Sequence, residues 1–372
     1  MDLPELKNEI KKTVLGMGAS LVGFGSRNRL AQAPPSGNMD YCLPGAQSCI
    51  IWAYAAPIEA LKAYFTKVER TSIKQYQYFA YTTAWKTAQE IARLIEANTT
   101  YKAFPVVPNA RYRGNKPGKS VSYNTLFSID IAYPDFSLRY GAVAAGLGQL
   151  GWSGNVVTKE HGGAVFLGGV LTTAPFDADP MAEKNQCNKC KLCVQACTTG
   201  FFSMDETGPP VIIGGIPQVP SKRHTIMRCG FGCAGFTGLS KDKKWSTWSP
   251  GAVCVADIPE AEMRKRVTKI KIFWNLLFSP KTRRAHRHFY LRIKNSFMCT
   301  GKSGNVALRP LEETNPRCGF CSLICVADPK QRKDLFASLV QSGRVYLDDQ
   351  GNEIVKKVDV TGKETVTIPS TS

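Results

Sequence analysis

Seven cysteines stand in two runs: Cys187-Asn-Lys-Cys190-Lys-Leu-Cys193-Val-Gln-Ala-Cys197, spaced C-x2-C-x2-C-x3-C, and Cys318-Gly-Phe-Cys321-Ser-Leu-Ile-Cys325, spaced C-x2-C-x3-C. The first spacing lets one short loop wrap three thiolates around an iron-sulfur cube, with the fourth thiol serving a second cube. If the runs cross over, one cluster takes Cys187, Cys190, Cys193 and Cys325, and the other takes Cys197, Cys318, Cys321 and one more thiol. Cys229 and Cys299 both lie between the runs and compete for that eighth place. Structural zinc fits less well, because it closes with four ligands in paired C-x2-C knuckles. Cys42, Cys49, Cys233 and Cys254 read as inert buried thiols.

The chain that must position these thiols has 372 residues, 43% of them apolar, enough for one large or two medium domains with a true core. Thirteen cysteines, mostly in ligand runs, fit a reducing, cytoplasmic setting. The N-terminus Met1-Asp2-Leu3-Pro4-Glu5-Leu6 has no basic and apolar export pattern. No stretch approaches the roughly 18 to 20 apolar residues that span a bilayer. The formal charge of +19 attracts acidic partners: a nucleic acid, an anionic membrane surface, or an acidic electron donor such as a flavodoxin or ferredoxin. Eleven Lys and Arg and no Asp or Glu fall between Met263 and Asn295. The segment 264–294 is a candidate for peripheral membrane contact, against the plainer reading of a helix packed on the body with a solvated basic face.

Apolar periodicity places a helix from Asp2 and Pro4 through Leu6, Ile10 and Val14, with Gly16 and Gly18 ending it. Strands follow at Leu21–Phe24 and Cys49–Tyr54, then a long helix over Ser72–Asn98. Ser137–Gly146 reads as a helix, Val165–Leu171 as a strand entering the thiol region, and Tyr346–Val355 as a hairpin before a polar tail. The fold class is α+β: an α/β domain over 1–180, a ferredoxin-like two-cluster domain over 181–335 with an insertion at about 234–298, and a hairpin and tail over 336–372. About a hundred residues between the cysteine runs is far longer than an ordinary loop.

Gly146-Leu147-Gly148-Gln149-Leu150-Gly151 matches G-x-G-x-x-G, yet its glycines close a helix instead of opening one after a strand, which argues against a dinucleotide site. In its wider setting the segment resembles something else. Ala145–Asn155, Thr158-Lys159-Glu160-His161-Gly162, Leu171-Thr172-Thr173-Ala174-Pro175-Phe176 and the first cysteine run, with Leu21–Phe24 and Leu43-Pro44-Gly45 upstream, together resemble the cobalamin-dependent reductive dehalogenases and epoxyqueuosine reductases. Thr198 and Val326 stand where that family's cysteine runs carry proline, and the insertion is large.

The resemblance implies a nitroreductase-like fold for the first domain, with a cobalamin tail against Gly146, Gly148, Gly151, Gly154, Asn155, Thr158 and Gly162. It favours Cys229 as the eighth cluster ligand. It implies a proton donor in the segment before the glycines, where Tyr133 stands nearest the expected position, with Asp130 and Asp135 as competitors and Arg139 able to tune a phenol. The leading expectation is therefore a dehalogenase-like reductase with two 4Fe-4S clusters and cobalamin, cleaving a carbon-halogen or similar bond in a small molecule. The alternatives are an epoxyqueuosine reductase acting on tRNA and, from another class, a ferredoxin-type electron carrier without cobalamin.

Overall fold

The computed structural model describes residues 1–108, 112–113, 120–121, 133–249, 254–278, 298–300, 306–308, 310–350, 352–358, 361 and 363–369. Helix α1 (Leu3–Gly16) starts where Asp2 accepts the Glu5 amide at 2.8 Å, with proline in its first turn. Strands β1 (Leu21–Ser26) and β2 (Ser48–Ala55) follow, then helices α2 (Ile58–Thr66) and α3 (Thr71–Asn98), strand β3 (Ala103–Val106), helix α4 (Leu138–Ala144) and strand β4 (Val165–Thr172). The four strands form one antiparallel sheet in the order β1-β2-β4-β3, with Ile51 opposite Gly169 and Trp52 opposite Gly168.

The uninterrupted apolar run of β2 arises because both of its faces are covered. Ile50, Trp52 and Tyr54 join Leu6, Ile10, Val14, Ile91 and Ile95 of α1 and α3 in one buried cluster, while Cys49 and Ile51 face Leu138, Ala142 and Val143 of α4 in another. Each such large side chain contributes about 1.5 to 3 kcal/mol by leaving water. The first of these clusters continues through Cys193, Phe320 and Leu339, so the thiol region packs on the core of the sheet. Tyr64 of α2 carries much of that junction. Its ring stacks on Phe320 at 5.0 Å and on Trp248 at 5.8 Å, and its hydroxyl donates to the Cys318 carbonyl at 3.1 Å.

Beyond β4 come helix α5 (Ile226–Cys233), helix α6 (Arg266–Phe278) and helix α7 (Pro329–Gln341). Helix α6 turns Ile272 inward and leaves Val267, Ile270 and Trp274 exposed. The basic residues that follow it, from Lys281 on, lie outside the described residues, and no described helix is long and apolar enough to cross a membrane. The C-terminal hairpin Arg344–Leu347 and Glu353–Val358 gains a third strand, Glu364–Thr367. Glu353 fastens this sheet to the thiol region through Arg317 at 2.7 Å and Arg70 at 2.8 Å. Burial pushes the Glu353 pKa up, but the Arg317 and Arg70 guanidiniums outweigh it and hold the carboxyl below its ordinary value.

Lys67 is buried at the end of α2 and donates to the Ser342 hydroxyl and to the Gly343 carbonyl at 3.1 Å. Burial pushes its pKa down to about 7, so from there to the unfolded value of about 10.4 the unfolded chain binds the proton more readily than the folded one. The cost of burying this amine is full below about pH 7 and fades as pH rises toward 10. Lys67→Met is expected to stabilise the protein most at the low end of that range. Denaturant unfolding of both proteins at pH 6.5 and 9.5 should show the gap narrowing with pH; a constant gap would contradict the assignment.

Candidate functional site

The first thiol loop coils where Lys189 (φ 54°) and Lys191 (φ 59°) take left-handed backbone conformations, and Cys187, Cys190 and Cys193 line one cavity. Cys325 arrives from the far run and lines the same cavity, with Trp152 and Arg332 beside it. The Trp152 amide donates to Cys187 Sγ at 3.3 Å, and buried Arg332 brings Nη1 to 3.6 Å from Cys190 Sγ. Burial, reinforced by Cys325, Cys187 and Cys190, pushes the Cys193 thiol up to about 12. Bare thiolates this close repel in a dry setting, so the arrangement calls for a cationic centre among them.

Cys197, Cys318 and Cys321 gather on the other side, and α5 adds two further thiols, Cys229 and Cys233, whose sulfurs are 3.5 Å apart. Cys233 also hydrogen-bonds Cys318, which draws the Cys318 thiol below its ordinary pKa. Cys233 is therefore no isolated, inert thiol, contrary to the expectation from sequence. The Phe201 amide donates to Cys197 Sγ at 3.5 Å, and Asn155 Nδ2 reaches 4.0 Å from Cys321 Sγ. Cys49 is fully buried, whereas Cys254 is only part-buried, its thiol 3.7 Å from the Ser240 carbonyl. The Cys299 side chain lies outside the described residues.

Among the described residues no three His, Cys, Asp or Glu side chains converge on a single metal-ion point. The thiols ring a volume instead, and an all-sulfur donor set of this kind suits iron-sulfur cubes.

The glycines are bare for a reason internal to the chain. A Cβ on Gly146 would stand 2.0 Å from the Pro180 carbonyl oxygen, one on Gly148 2.3 Å from that of Val157, and one on Gly162, where φ is +64°, 2.1 Å from that of Cys325. Gly151 packs on Val157 and Cys187, and Gly154 carries the Arg223 guanidinium. Thr158 closes its own turn, with its hydroxyl 3.1 Å from the Gly162 carbonyl. Of these positions, Gly151 and Gly162 seat the thiol loops, packing on Cys187 and Cys325. The space a Cβ would take is filled by protein, so the bareness of these glycines is accounted for within the chain and does not by itself point to a corrinoid.

Two guanidiniums and a phenol stand near the second thiol group. Arg139 Nη1 donates to the Gly154 carbonyl at 3.1 Å and lies 3.5 Å from Asn155 Oδ1. Arg223 stays accessible to solvent while surrounded by protein, and that crowding, together with Arg139 beside it, pushes its pKa down to about 10. Tyr112, half-buried, sits within electrostatic reach of Cys229, Cys233 and Arg139; burial and the two thiols push its phenol well up, so it stays protonated.

Tyr133 is 38% exposed, joined to this group through the Tyr112–Pro134 bridge and through the Arg113 amide, which donates to its carbonyl at 2.8 Å. Asp135 is buried, its carbonyl bound by Arg113, and Asp130 lies outside the described residues. Tyr112, Arg223, Arg332 and Cys233 escaped the sequence reading. Only Cys233 left a trace, its four-residue spacing from Cys229, which puts both on one helix face.

No family model matches the chain. Short stretches are similar to curated proteins named epoxyqueuosine reductase. The match is 41% identical over 58 residues with that of Synechococcus sp. strain CC9605, covering 16% of this chain and 18% of the relative. It is 46% over 59 residues with that of Gloeobacter violaceus, again 16% and 18%. It is 40% over 76 residues with that of Prochlorococcus marinus strain NATL2A, 20% and 24%. The matches thus span less than a quarter of these relatives' length.

Solved structures with partial likeness include an epoxyqueuosine reductase with an epoxyqueuosine-modified tRNA-Tyr stem loop, at 16% identity and TM-score 0.37 over 70% of this chain and 66% of that one. A reductive dehalogenase described in terms of B12-dependent dehalogenation is also among them, at 14% identity and TM-score 0.44 over 83% and 40%. The curated proteins matched over these short stretches carry the name of one of the two groups that the motifs resemble.

Gly148→Ala separates the two reasons for a bare residue. It is expected to destabilise the cofactor-free protein by about 1 to 3 kcal/mol, because the new methyl meets the Val157 backbone. Thermal unfolding of the cofactor-free variant checks this, and an unchanged melting temperature would mean the glycine serves a ligand instead.

Proposed function

We propose that this chain is an oxidoreductase in which two 4Fe-4S clusters pass electrons one at a time to an anionic substrate held by Tyr112, Arg139 and Arg223. The observation that carries the reading is the crossing of the thiols, with Cys325 beside Cys187, Cys190 and Cys193, and Cys197 beside Cys318 and Cys321. Cys187, Cys190, Cys193 and Cys325 would hold one cluster. Cys197, Cys318, Cys321 and a thiol from α5 would hold the other, next to these three residues. The clusters supply single electrons at low potential.

Tyr112, Arg139 and Arg223 account for the remaining work. Arg139 and Arg223 are two adjacent guanidiniums, whose mutual repulsion is relieved by an anion between them. Tyr112 holds a proton at its phenol oxygen, where a substrate accepting electrons can take it; Tyr133 is the rival donor. Trp152 and Arg332 line the first thiol cavity beside its cysteines. A corrinoid, when bound by proteins of this superfamily, supplies low-valent cobalt for breaking a carbon-halogen or carbon-oxygen bond. The glycine run does not by itself point to one, and no step here is routed through it.

Two substrate classes follow. The curated relatives and the charge of +19 support an epoxyqueuosine-bearing tRNA as substrate. The family resemblance of the motifs supports a small halogenated anion. The acidic electron donor, flavodoxin or ferredoxin, remains part of the proposal, as does a reducing cytoplasmic setting.

The reduced, reconstituted protein is to be offered an epoxyqueuosine-modified tRNA stem loop and a halogenated hydroxybenzoate under anaerobic conditions. Turnover of either one is expected; electron transfer to a ferredoxin with turnover of neither would leave a carrier and overturn the proposal. With the substrate that turns over, Arg223→Ala is expected to raise KM roughly tenfold, about 1.4 kcal/mol of binding. Tyr112→Phe is expected to lower kcat by about a hundredfold or more, with iron content unchanged. If Tyr133→Phe gives that loss and Tyr112→Phe does not, the proton role passes to Tyr133. Cys325→Ala should cost about four irons per chain although Cys318 and Cys321 are intact.

A further inference from the structure

Five thiols surround the second cluster position where four suffice. Cys229 and Cys233 lie one turn apart on α5 and present their sulfurs 3.5 Å from each other, about one sulfur atom's width. Neither stands apart from the group. Cys233 hydrogen-bonds both Cys229 and Cys318, and Cys229 lies within electrostatic reach of Cys197 and Cys321. The helix is held against the site by close packing: a Cβ on Gly232 would come 2.9 Å from Thr199 and 3.8 Å from Cys318 Sγ. The two sulfurs are so near each other that exchanging one for the other beside Cys318 asks for a displacement of only about their separation.

We propose that the fourth corner of the second cluster is an interchangeable pair, Cys229 or Cys233, one bound to iron as thiolate while the other stays a neutral thiol donating its S–H to the ligating sulfurs. This rests on the two-cluster reading above. Exchange is balanced: one iron-sulfur bond breaks and its thiolate takes a proton, while the neighbouring thiol gives up its proton and forms the new bond. Electrons stay where they are. Tyr112 lies within electrostatic reach of both sulfurs, so the choice of ligand alters the charge seen from the proposed substrate site and couples that site to the cluster. A thiol donating to cluster sulfur also raises the reduction potential, since it stabilises the added electron.

The full chain and its Cys229→Ala, Cys233→Ala and double variants are to be reconstituted anaerobically with iron and sulfide. Iron is then counted, and the paramagnetic spectrum of the reduced protein recorded, with Cys254→Ala as a control. Each single variant is expected to keep about eight irons per chain with both cluster signals, and the double variant about four with the first cluster's signal alone. That remaining signal reports that the double variant has folded.

Loss of the second cluster in one single variant but not the other would overturn the proposal by naming one fixed ligand. Loss in both singles would overturn it too, and so would a double variant with eight irons, which would put the corner elsewhere. A wild-type chain that takes up no iron would sink the two-cluster reading itself, a result distinct from any of these.

Discussion

Thiolates crowded into a space poor in water repel one another strongly, and the rest of this structure is arranged around making that crowding tolerable. The thiols of either group come from segments more than a hundred residues apart, so each group forms only when the chain has closed on itself. The closure is carried by the core. The cluster of side chains beginning at Leu6 and Ile50 runs on through Cys193, Phe320 and Leu339, and the Tyr64 hydroxyl touches the Cys318 carbonyl directly. The thiol region is an extension of the sheet's core and not an appendage to it.

Positive charge is distributed to suit. Arg332 reaches Cys190 within the first cavity, Arg223 stands near Cys229 and Cys321, and Arg317, next in sequence to Cys318, is neutralised by Glu353 from the C-terminal sheet. On the proposed reading, a centre that gains an electron is stabilised by these cations, and a net charge of +19 favours an acidic donor or a polyanionic substrate.

Much of this was legible in the sequence, for identifiable reasons. Helix α1, the buried strand β2 and the long helix α3 announced themselves by apolar period, since each packs on the core along its whole length. Spacing raised the crossing that would bring Cys325 to the first run, and the two share one cavity. What spacing cannot show is which side chains a fold brings in from elsewhere. Arg332 and Arg223 are ordinary basic residues in a basic chain, and Tyr112 sits on a two-residue strand with no period to notice.

The glycines were legible as places of close approach. The partner in that approach, however, proved to be Pro180, Val157 and Cys325, chain atoms distant in sequence, and this could be seen only once the loop was folded. The third C-terminal strand, hidden in a polar tail, was likewise missed because its pairing partner, Glu353–Val358, supplies the order that its own composition lacks.

The account stands on two cubes built from crossed ligand runs, and Mössbauer spectroscopy of the full chain, reconstituted anaerobically with isotopically enriched iron, tests this most directly. Two 4Fe-4S clusters, about eight irons per chain, all in cubane-type environments, are what the account predicts. Iron in isolated tetrahedral thiolate sites, or a single cluster of about four irons, would contradict it.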